Sequence, residues 1–170
     1  STSTPGTPAS DSASSAINMA SNIVLQGLTI QTTAVGAATA NVISSDADPD
    51  TGHGLILQSC KDSMFEDIKF LGTWVNGAVN VDDNAIVLNS LSGSVTSDNN
   101  KFVNCTFQGF GTAIRSNWDT DDNTFTGCRF ETLGQGIRFG ETMTLGNVAS
   151  GQFKGPSSNI IEKSIFNDAH

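Results

Sequence analysis

The densest group of chemically able side chains is the run Ser116-Asn117-Trp118-Asp119-Thr120-Asp121-Asp122, with Arg115 directly before it and Arg138 and Glu141 further on. An aromatic face stacks on the apolar side of a pyranose, while carboxylates and a guanidinium hydrogen-bond its hydroxyls. These residue types therefore suit sugar recognition. A second cluster, Trp74 with Asp82 and Asp83, again sets an aromatic ring beside carboxylates. Two carboxylates at a suitable separation can also cleave a glycosidic bond, and Asp119, Asp121, Asp122 and Glu141 are the candidates for that role. A plainer reading stands beside both. Asp-rich loops between strands commonly serve as turns that cap backbone groups. Trp74 and Trp118 equally suit covering an edge of the fold or filling a subunit contact, and Arg115 and Arg138 equally suit a salt-bridge network.

Asp46, Asp48 and Asp50 offer oxygen ligands to a hard cation, in a run that resembles the opening of an EF-hand loop. Pro49, the Leu57 at the twelfth position counted from Asp46, and the lack of helical flanks argue against that site. No cofactor is expected, and Ca2+ at these three aspartates is the one alternative. His53 alone would change charge near neutrality, but a single His beside Gly is no triad. There is no Ser/His/Asp arrangement, no phosphate-cradling Gly loop and no nucleotide motif. The net charge of −9, from 8 basic and 17 acidic residues, disfavours nucleic acid and anionic lipid. No apolar run is long enough to span a membrane. Partners are expected among proteins, neutral sugars, or anionic sugars approached through a local Arg or metal.

What must position these residues is a repeat. Asn100-Lys101-Phe102-Val103-Asn104-Cys105-Thr106-Phe107 recurs as Asn123-Thr124-Phe125-Thr126-Gly127-Cys128-Arg129-Phe130. The offset from Phe102 to Phe125 is 23 residues, and it holds for Cys105 to Cys128, Phe107 to Phe130, Gly111 to Gly134 and Ile114 to Ile137. A fixed period in this range marks a repeat architecture. Cys105 and Phe107 have the two-residue spacing of one strand face. Phe102 is then an anchor set before that strand across a small bend. Asn100 and Asn123 fall where a turn needs a residue tolerant of left-handed backbone and able to bond locally. A further strand begins at Ala113-Ile114 and at Gly136-Ile137. Two or three short strands per period, with no helix, describe one coil of a parallel β-helix.

The template extends along the chain. Its anchor, middle and last positions read Leu25, Leu28, Ile30; Phe65, Ile68, Phe70; the two repeats above; and Ile161, Ser164, Phe166. The strand that follows recurs at Leu55-Ile56-Leu57 and Ala85-Ile86-Val87-Leu88. The predicted fold is all-β, a right-handed parallel β-helix or solenoid of about five coils with loop insertions. Residues 1–20, rich in Ser, Thr and Ala, read as an arm or linker, and 21–170 as a β-helix that is part of a longer solenoid. Cys105 and Cys128 should stack about 4.8 Å apart, with side chains pointing in parallel. That arrangement suits a ladder of small buried thiols better than a disulfide. Cys60 has no counterpart in this alignment. Arg115 and Arg138 should stack outward beside the inward Ile114 and Ile137.

The pattern Asn-x-Phe-x-x-Cys-x-Phe, followed by a Gly-containing turn and Gly/Ala-Ile, resembles right-handed β-helix proteins of the pectin-lyase-like superfamily. The Asn/Ser/Thr/Gly-rich, Asp-looped character over residues 21–170 is most similar to bacteriophage tailspike and tail-fibre β-helices. The resemblance implies a homotrimer, location on the virion tail or an appendage (otherwise extracellular), contact with other virion proteins, and binding of a host-surface polysaccharide, sometimes with cleavage. On the chemistry of their side chains, Trp118, Asp119, Arg115, Arg138, Trp74 and Asp82 are the candidate glycan-binding residues. The pectate-lyase branch would imply a calcium site of aspartates with a basic Arg. Hydrolase or lyase activity and a ligand-free spacer or adhesin segment are the two alternative functions. Because the matching copies are plain scaffold, function is expected in the insertions at 31–53, 71–84 and 140–158, and in the turn from Trp118 to Asp122.

Overall fold

The computed structural model describes residues 16–18, 21–32, 54–74, 84–90, 96–116, 120–139 and 156–169. These residues form short strands and no helix. The first coil contributes β1 (Ala16–Asn18), β2 (Val24–Gln26) and β3 (Thr29–Gln31), and the second β4 (Leu55–Gln58), β5 (Met64–Glu66) and β6 (Lys69–Leu71). The third holds β7 (Asn84–Asn89), β8 (Lys101–Val103) and β9 (Thr106–Gln108). The fourth has β10 (Thr112–Ser116), β11 (Thr124–Thr126) and β12 (Arg129–Leu133). The fifth has β13 (Gln135–Phe139), β14 (Ile160–Glu162) and β15 (Ile165–Ala169). Every strand pairs in parallel with the one three places later in the chain. The result is three 5-stranded sheets, β1-β4-β7-β10-β13, β2-β5-β8-β11-β14 and β3-β6-β9-β12-β15. The fold is a parallel β-helix of five coils.

The register follows the sequence template. Leu25, Phe65, Phe102, Phe125 and Ile161 pair in succession across the second sheet. Ile30, Phe70, Phe107, Phe130 and Phe166 do the same across the third. Two columns of stacked rings result, with centroid spacings of 4.8 Å for Phe65–Phe102 and Phe102–Phe125 and 5.1 Å for Phe70–Phe107. Between them runs the column Leu28, Ile68, Cys105, Cys128, Ser164. Together with the inward residues of the first sheet, these groups form one continuous apolar core along the stack.

Two local expectations are corrected. Phe102 does not precede the strand across a bend; it is the inward residue of its own strand, β8, so each coil has three strands. Nor do Asn100 and Asn123 take the left-handed conformation. That falls one residue earlier, in the column Asn22, Asp62, Asn99, Asp122, Ser158, whose φ values lie between 53° and 59°. A second left-handed column, Gly27, Asp67, Asn104, Gly127, Lys163, separates the second-sheet strand from the third-sheet strand. A single left-handed residue turns the chain sharply enough that the inward residues on both sides still point to the core. Gly, Asn and Asp dominate because they adopt it at least cost.

β1 also lies ahead of residue 21, so strand pairing with β4 reaches back into the segment read as an arm. All three cysteines are free and buried. Cys60 does have counterparts, Ser97 and Thr120, at the same place in the next two coils, and its backbone N–H donates to Ser97 Oγ at 3.1 Å.

Candidate ligand-binding face

The carboxylates and amides near the Trp118 turn occupy the first corner of each coil, between the first-sheet and second-sheet strands. Backbone pairs continue through this corner, as from the N–H of Asn99 to the Asp121 carbonyl at 3.1 Å, and side chains add to them. Asn123 Oδ1 accepts from the backbone N–H of Asn100 at 3.0 Å and from Asn100 Nδ2 at 3.0 Å. Asn159 Oδ1 accepts from the N–H of Asn123 at 3.0 Å, and Asn100 Oδ1 from that of Ser63 at 3.2 Å. Ser63 Oγ accepts from the N–H of Ile23 at 3.1 Å, completing the ladder through the first coil. The amide Nδ2 groups of Asn100, Asn123 and Asn159 donate to the carbonyls of Cys60, Ser97 and Thr120. Asn100 and Asn123 are fully buried, so each bond substitutes for water that is absent.

The neighbouring acidic column serves the same purpose. Asp98 Oδ1 accepts from the N–H of Asp121 at 2.9 Å, and Asp121 Oδ1 from that of Ser157 at 2.6 Å. Lys61 pairs with Asp98 at 3.4 Å, and Thr96 Oγ1 donates to the same carboxylate. Asp121, a candidate acid or base from the sequence, is therefore committed to holding the fifth coil against the fourth. Asp122 is exposed and stands in the left-handed column, a turn position.

Arg115 and Arg138 do stack: they are register partners across β10 and β13, with Ile114 and Ile137 paired beside them. Arg115 is only 9% exposed, however, and the same outer column continues into Val87 and Ile56, both buried. This stretch of the first sheet is covered on both faces, whereas the outer faces of the other two sheets carry exposed Lys69, Lys101 and Arg129. Arg138 is half-buried and is the accessible member of the pair. Trp74 is 8% exposed, and its indole Nε1–H is buried with no acceptor among the described residues. Its backbone N–H donates to the Gly109 carbonyl at 2.7 Å.

Trp118, Asp119, Glu141, Asp82, and the weak calcium candidates Asp46, Asp48 and Asp50 lie outside the described residues. Among the described residues no three His, Cys, Asp or Glu side chains gather to hold a metal. The thiols belong to the core. Cys105 Sγ donates to the Phe65 carbonyl at 3.4 Å and Cys128 Sγ to that of Phe102 at 3.5 Å, and Ser164 Oγ repeats the contact to Phe125 at 3.5 Å. Contact with Cys128 and burial push the Cys105 thiol above its ordinary value, and burial pushes up that of Cys60. Neither is poised as a nucleophile.

Sequence reasoning missed the role of the Asn and Asp columns as inter-coil rungs. The signal was present in the spacing, since Ser63, Asn100, Asn123 and Asn159 fall at the same intervals as the aromatic anchors. No protein-family model, no curated protein and no solved structure matches this chain, so its own geometry carries the functional reading.

Proposed function

We propose that this chain is a non-catalytic β-helix of the tailspike or tail-fibre kind, within the pectin-lyase-like class, that binds a host-surface polysaccharide on the face carrying Arg138. The observation supporting this is the in-register pair Arg115–Arg138 next to the segment that bears Trp118 and Asp119. Arg138 is the half-buried, accessible member of that pair, so its guanidinium is the one a ligand can reach. A guanidinium beside an aromatic ring suits the hydroxyls and apolar face of a sugar. Binding is favoured over cleavage because Asp121 is held by the Ser157 backbone and Asp122 occupies an exposed turn.

The test is a panel of bacterial surface polysaccharides, read for binding and for release of reducing or unsaturated ends. Binding without product, weakened about tenfold or more by Arg138→Gln or Trp118→Ala at unchanged thermal stability, is the expected result. Product release would move the protein to the hydrolase or lyase class. Absence of binding to every polysaccharide would leave a structural spacer.

A further inference from the structure

We draw no further inference here: the strongest candidate, the buried indole N–H of Trp74 at the corner that follows β6, carries nothing because nothing among the described residues shows what it faces.

Discussion

Asn123 shows what a single residue does in this fold. It is fully buried, accepts two hydrogen bonds from Asn100, and donates to the Ser97 carbonyl. Asn123→Leu keeps the branched shape but orphans the Asn100 backbone donor and removes the bond to the Ser97 carbonyl. At about 1–3 kcal/mol for a buried group left unpaired and about 1 kcal/mol for the further bond, the loss should reach about 2–4 kcal/mol. Asn159→Leu, at the half-buried end of the same ladder, should cost clearly less. Urea unfolding of both variants checks this, and equal losses would contradict the ladder. The Cys60 thiol makes a pH prediction. Burial raises it, so at this thiol the unfolded chain ionises before the folded one. Its contribution is fully present below about pH 8.5 and is lost as pH rises toward the folded value, at up to about 1.4 kcal/mol per pH unit. Cys60→Ser copies Ser97, its counterpart in the next coil, and should flatten that alkaline decline, as measured by unfolding free energies at pH 7 and 10. The identity of these core residues was legible because apolar and small residues recur in step. Their partners were not, since a side chain bonding to the next coil is invisible until the register is known.

At the scale of the element, each coil is three short strands joined by corners, and two glycines show how differently corners constrain the chain. Gly27 and Gly109 both have left-handed backbone, with φ of 66° and 73°. A Cβ on Gly27 would meet nothing within 4 Å, whereas one on Gly109 would stand 2.7 Å from the Gly72 carbonyl oxygen. Gly72 closes the same contact from its own side, against the Gly109 carbonyl. Gly27→Ala should therefore cost only the conformational penalty of about 1–2 kcal/mol. Gly109→Ala adds a backbone clash to that penalty and should at least double it, as thermal unfolding of the two variants will register. Strand positions were legible in the Phe-x-x-Cys-x-Phe spacing, which fixes which residues face inward. The division of that motif between two strands was not. A left-handed residue between Phe102 and Cys105 resets the alternation, and Asn104 does not announce its conformation by type alone. The covered outer face of the first sheet was equally hidden, because Arg115 reads as a surface residue in any pattern of alternation. The segments bearing Trp118, Asp82 and Glu141 carry no repeat, so nothing in the sequence ties them to a register.

For the whole molecule, stacking in strict register makes the coil, not the residue, the unit of stability. The fourth coil is the barest, because its columns repeat those of the third at 23 residues, while the other intervals between anchors are 40, 37 and 36. A second copy of residues 112–134 inserted after Gly134 therefore places Phe125 on Phe125, Cys128 on Cys128 and Asn123 on Asn123. Each of those neighbours is already compatible with its kind in the structure. Phe102 stacks on Phe125 with 8° between ring planes, and Asn100 bonds to Asn123. The lengthened chain should fold, with unchanged far-UV circular dichroism per residue and a denaturant dependence that rises with the added buried surface. The same insert lacking Thr124 should fail. It shifts β11 by one residue, turning Phe125 outward and a threonine into the aromatic column. Folding of both inserts would mean that the columns tolerate a slipped coil, and failure of both would mean that the scaffold depends on the particular loops between its coils. Only the first insert folding would show that 23 residues are a complete structural unit.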